Sequence, residues 1–177
     1  RLLYFFAEKS PDEGYLLFKR VEFANSWLYG ICSIALIALL NPFITLWLGE
    51  DYLLNEYIVM AVVINFFVQG YMNTLWTFRS ALGLFSQGWY RPLIVAAINI
   101  GLSIWLGSCW GVFGVLISTF ISRAAVNIWF DPLIIHKYGF NRSVRPFFIS
   151  YLSRVMQILL ILIVVQTIKK VLLHNGV

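Results

Sequence analysis

Five stretches of this chain are apolar for long enough to cross a bilayer: roughly 23–40, 54–78, 92–107, 110–136 and 147–168. Polar residues, prolines and glycines punctuate them. An amphipathic segment, 1–22, comes first, and Ser10-Pro11-Asp12-Glu13 within it reads as a helix start, with Ser10 as N-cap. Asn41-Pro42 is expected to end the first span. Residues 43–53 read as an aromatic loop turning at Gly49, with Trp47 and Tyr52 at the membrane interface. The connection FRSALGLFSQGWYRP after the second span is basic, and part of it is expected to continue as a short interfacial helix. Pro92 opens the third span. The link at Ser108–Gly111 is so short that spans three and four must form an antiparallel hairpin. A kink is expected near Pro132, a helix stop at Gly139 and a new start at Pro146, with 169–177 left as a tail.

The fourth span carries two different stripes. Gly107, Gly111, Gly114, Ser118 and Ser122 have the spacing that lets helices approach closely in lipid. Thr119, Arg123, Asn127 and Asp131 recur every four residues and so share another face. A charge at mid-span costs about 2.5–3.5 kcal/mol on insertion scales. Arg123 is therefore expected to face other helices or a wet cavity. Asp131 is two turns away, about 12 Å at 1.5 Å per residue, too far to neutralise Arg123, so each needs its own partner or water. A structural pairing with a helix outside this chain and a cavity role both remain open for Arg123; for Asp131 the choice is between the interface and the cavity, where it is the one carboxylate near a span that could take a proton or Na⁺.

The second span shows Asn65, Gln69 and Asn73 on one face, with Arg79 beyond them. These amides either bond neighbouring helices, at about 0.6 kcal/mol each, or line a cavity. Taken alone, Arg79 reads as a snorkelling charge at the interface. Arg154 and Gln157 share a face of the fifth span, and Arg154 fits an interfacial anchor. Asn99 and Ser103 read as a structural pair in the third span, and His136 as a solvated side chain beside Lys137.

Composition agrees with a membrane protein: 60% of residues are hydrophobic and 12% charged, where soluble domains run near half and a quarter. The formal charge of +5 is dispersed over loop ends, which speaks for topology and against nucleic acid. Basic residues cluster before span one (Arg1, Lys9, Lys19, Arg20), between two and three (Arg79, Arg91) and between four and five (Lys137, Arg142, Arg145). By the positive-inside rule the N-terminus is cytoplasmic and the C-terminus outside, with Lys169 and Lys170 as the exception. Cys32 and Cys109 read as buried small hydrophobes. Phosphate-loop, HExxH, CxxC and GxSxG patterns are absent from the sequence, so nothing in it calls for catalysis, a metal or a cofactor.

Three runs carry a resemblance: PFITLWLGEDYLL (42–54), FRSALGLFSQGWYRPLIVAAINIGLSIWLG (78–107) and GVFGVLISTFISR…WFDPLIIHKYGF (111–140). Together they resemble the C-terminal half of bacterial polysaccharide-biosynthesis membrane proteins, the Wzx-type O-antigen and capsule flippases of the MATE-like exporter superfamily. The resemblance implies an all-α integral membrane fold in which this chain is one partial lobe of a two-lobe transporter. The N-terminal lobe of the same polypeptide would lie outside it. It also implies a bacterial inner-membrane location and an undecaprenyl-diphosphate-linked oligosaccharide as substrate, moved by alternating access, with a polysaccharide polymerase as a further partner. Arg123, Arg79 and Arg154 would meet the diphosphate. Asn65, Gln69, Asn73 and Asn127 would meet sugar hydroxyls. An ion-coupled drug exporter of the same fold and a non-transporting scaffold for polysaccharide synthesis are the alternatives.

Overall fold

The computed structural model describes the backbone of residues 10–174 and side chains as far as residue 168. Residues 1–9, including Arg1 and Lys9, and the side chains of Lys169 and Lys170 lie outside the described residues. The chain is all-helical, 87% helix, with no strand among the described residues. It contains α1 (Pro11–Trp47), a short 3-10 turn (Glu50–Tyr52), α2 (Glu56–Ala81), α3 (Arg91–Ile134), a π-helical turn (Ile135–Gly139) and α4 (Arg145–His174). Among the described residues four helices are long and apolar enough to cross a membrane, which fits a multi-pass membrane protein.

Helix α1 starts as its sequence dictates. Ser10 caps it by accepting from the Glu13 amide, and Pro11 sits in the first turn. The amphipathic approach and the first span form one continuous helix, and one expectation is corrected: that helix does not end at Asn41-Pro42 but runs through Pro42 to Trp47. Membrane helices tolerate such prolines because neighbouring groups satisfy the freed backbone. Asn41 works across the following turn instead: its side chain accepts from Leu54 N at 3.3 Å and donates to Leu54 O at 2.9 Å. That clamp fixes where α2 begins.

Helix α2 is the centre of the unit formed by residues up to Val144. Half of its apolar window is buried, against 17% for α1 and 11% for α3. It lies antiparallel to α1. Phe18 meets Phe78 at a ring distance of 5.1 Å, Asn25 meets Thr74 at 2.6 Å, and Tyr29 seats on Gly70. A Cβ at Gly70 would fall 2.1 Å from the Tyr29 ring, so a side chain there would drive α1 away.

Helix α3 is two arms joined at Gly111, whose backbone (φ 57, ψ −137) is not helical. Only glycine takes that conformation cheaply. The second arm folds back on the first, and the small residues form the seam. Ser103 and Ser118 hydroxyls are 2.5 Å apart, and Asn99 donates to Thr119 and Ser122 at 3.3 Å each. A Cβ at Gly114 would lie 2.0 Å from the Leu106 carbonyl oxygen. The hairpin read from the sequence is thus present. The second arm then runs parallel to α2, tied by Asn65 to Leu116 O and by Tyr71 OH to Ile128 O. The Tyr71 bond answers the expected kink. Pro132 lacks the N–H that would bond Ile128 O four residues back, and the tyrosine hydroxyl supplies a donor instead.

Beyond Pro132 the helix widens into the π turn, and His136 is buried there, its Nδ1 donating to Pro132 O at 2.8 Å. The solvated reading of His136 is corrected: Tyr15, Phe18 and Phe140 surround its ring. Large apolar side chains on the outside of the helices, such as Leu46, Ile104 and Trp105, are exposed, as lipid-facing positions require. Helix α4 is a separate unit. It is apolar from Arg145 to Ile168 and continues to His174, so the expected tail is helical as far as that residue.

Candidate functional site

Asp131 has 0% of its side chain exposed and holds two arginines. Its Oδ1 lies 3.1 Å from Arg79 Nη1 and 2.6 Å from Arg91 Nη2. Arg79 comes from the end of α2 and Arg91 from the start of α3, so one carboxylate ties both flanking elements to the second arm. The snorkelling reading of Arg79 is corrected by this pairing. Arg91, read from the sequence as a topological loop charge, is 4% exposed. The four-residue periodicity placed Asp131 on the polar stripe, and Arg79 stood out beyond the amides of the second span, but nothing in the sequence paired them. Arg91 was the missed member; its one sequence signal is its place directly before Pro92 at a helix start.

The two arginines also shape the loop between α2 and α3. Arg79 Nε donates to Leu84 O at 2.9 Å and Nη2 donates to Gln87 O. Arg91 Nε donates to Gly88 O at 3.3 Å, and its guanidinium stacks over the Phe130 ring at 4.5 Å. Gly83 (φ 69) and Gly88 (φ 75) take left-handed backbone. The loop is therefore a run of turns closed on guanidinium groups, and the interfacial helix expected there is not formed.

The polar stripe of the second arm is anchored at both ends. Thr119 accepts from Asn99 of the first arm, and Asp131 holds Arg79 and Arg91. Arg123 and Asn127 lie between, on the seam where the first arm and α2 flank the second. Arg123 is half-buried and Asn127 buried, and neither has a hydrogen-bonding or ionic partner among the described residues.

The amides of α2 divide. Asn65 is used in packing, donating to Ala61 O and Leu116 O at 2.9 Å. Gln69 donates to Asn73 at 3.1 Å, and Asn73 donates to Tyr29 OH at 3.0 Å, on the half-exposed side toward α1. Tyr29, Asn25 and Thr74 belong to this network and were not singled out from the sequence. On α4, Arg154 sits 6.0 Å from the Tyr151 ring of its own helix and Gln157 is exposed. One more carboxylate is buried: Glu22 on α1, 6% exposed, its Oε1 accepting from Ser26 at 3.2 Å.

In comparisons with known proteins, no family model, no curated protein and no solved structure matches this chain.

Proposed function

We propose that this chain belongs to a membrane transporter that flips a lipid-linked oligosaccharide across the bacterial inner membrane, from the cytoplasmic to the outer leaflet. The observation that carries the reading is Arg123: a cation at the middle of an apolar helical arm, half-buried and without a counter-charge among the described residues. Such a group is costly in lipid and is used where an anion passes. A guanidinium matches a diphosphate in charge and geometry. Asn127 beside it offers amide hydrogen bonds to sugar hydroxyls. The resemblance to Wzx-type proteins supplies the substrate class, and the other lobe of the cavity would come from sequence outside this chain.

The test is complementation. The natural gene, carrying Arg123→Ala, Arg123→Lys or Asn127→Ala, is expressed in a bacterial strain lacking its own flippase, and surface polysaccharide is measured at matched membrane abundance. Loss with Ala and partial rescue with Lys supports the proposal. Normal export by all three variants overturns it.

One observation favours an ion-coupled exporter of the same fold instead. Glu22 is a carboxylate buried in a membrane helix, the kind of group that takes up a proton or Na⁺. Under that reading Glu22→Gln abolishes gradient-driven transport while Arg123→Ala does not.

A further inference from the structure

The Arg79–Asp131–Arg91 cluster is unbalanced: Asp131 and Arg91 are buried, Arg79 is 13% exposed, and the two guanidiniums share one carboxylate, which leaves one positive charge over. Arg91 Nη1 is buried with no hydrogen-bond partner. A buried, uncompensated cation is expensive unless an anion sits nearby. A cavity of about 200 Å³ opens beside the cluster, lined by Trp76, Arg79, Ser80, Phe85, Gly88 and Trp89. Arg79 forms part of its wall. Arg91 lies directly behind Gly88, where a Cβ would come within 3.0 Å of its Nε and 2.7 Å of the Phe130 ring. Both guanidiniums therefore project their field into the same space, the second across a residue with no side chain.

The rim is aromatic and exposed: Trp89 is 72% and Phe85 64% accessible. The cavity sits where α2 ends and α3 begins, at the ends of two apolar helices. Tryptophan at that depth marks the boundary between headgroups and acyl chains. The volume is below the roughly 300–1,000 Å³ of typical small-molecule sites, yet several times the ~30 Å³ share of one water. It suits a phosphate with a small attached group better than a whole saccharide. Basic pockets between membrane helices take lipid headgroups by this chemistry.

We infer that this cavity binds the phosphate of an anionic membrane lipid headgroup, held by Arg79 with Arg91 behind it and flanked by the Trp76 and Trp89 rings. The site is separate from the Arg123 seam and stands whether or not an oligosaccharide moves there. Its occupant balances the cluster that closes the loop between α2 and α3.

The test uses the purified natural protein in nanodiscs of phosphatidylglycerol and phosphatidylcholine in equal parts. Lipid retained after release is counted by native mass spectrometry. Ser80 is exposed on the cavity wall, so Ser80→Glu places a negative charge there without touching the cluster, and Ser80→Gln is its neutral control. The wild type and Ser80→Gln are expected to retain phosphatidylglycerol in preference to phosphatidylcholine. Ser80→Glu is expected to lose that preference by roughly tenfold. Trp89→Ala, at an exposed position, should weaken retention with the unfolding midpoint unchanged. Equal retention of the two lipids, equal loss in Ser80→Gln and Ser80→Glu, or no effect of either Ser80→Glu or Trp89→Ala overturns the inference. Displacement of the retained lipid by millimolar inorganic phosphate assigns the site to the free anion and overturns the lipid as its source.

Discussion

Two faces of one helical arm meet opposite fates. The face with Gly114, Ser118 and Ser122 is closed: each hydroxyl bonds the first arm or its own backbone, and glycine removes the one side chain that would hold the arms apart. The face with Thr119, Arg123, Asn127 and Asp131 is bonded at its ends, while Arg123 and Asn127 in its middle have no polar partner among the described residues. Lipid offers no hydrophobic force between helices, so close packing and hydrogen bonds hold the first face together. The second face carries more polar groups than packing uses. Residues that packing leaves unsatisfied in a membrane are the ones to examine for function.

The largest expected effect falls on the anchor of the second face. Asp131→Asn leaves Arg91 buried, and Arg79 partly buried, without a counter-charge, at a cost of about 3–5 kcal/mol. Unfolding of the purified protein in mild detergent should show that loss, and membrane abundance should fall with it. A variant as stable as the wild type would mean that the two arginines reach water.

Next comes the closed face. Gly114→Ala puts a methyl group against the Leu106 carbonyl and is expected to cost about 1–3 kcal/mol. Gly114→Leu should force the arms apart. A chain lacking Cys32 and Cys109 but carrying Ser103→Cys and Ser118→Cys reports on the seam. It should cross-link under mild oxidation, and adding Gly114→Leu should abolish the cross-link. A cross-link that survives Gly114→Leu would show that the arms do not meet through this glycine.

Single hydrogen bonds between helices should matter least. Asn65→Leu and Thr119→Val each remove one interhelical bond and are expected to cost about 0.6 kcal/mol. If either costs as much as Asp131→Asn, the contrast between anchored charge and ordinary packing is wrong.

The sequence showed these faces unequally. The small-residue face and the hairpin were legible because a short uncharged link permits only one topology, and small residues at helical spacing have one common use in lipid. The start of α1 was legible because Ser10 and Pro11 act locally. The continuation of α1 through Pro42 was not, since the outcome depends on how neighbouring groups accommodate the proline rather than on the proline itself. Asp131 was visible as a stripe member, but its partners come from two other elements. Arg91 in particular looked like any loop-end cation until the fold brought it under Phe130. His136 was hidden for the same reason: its burial comes from Tyr15 and Phe18, more than a hundred residues earlier.

The central claim is that Arg123 faces a polar seam reached by water while its neighbour Ser122 faces a dry one. Single cysteines at 123, 122 and 121, in a chain lacking Cys32 and Cys109, can be exposed to a small water-soluble maleimide in intact membranes. Arg123→Cys should react. Ser122→Cys should not, because it is packed, and Ile121→Cys should not, because its exposed side faces lipid. If position 123 is as inert as 122, the seam is dry and the stripe is packing alone.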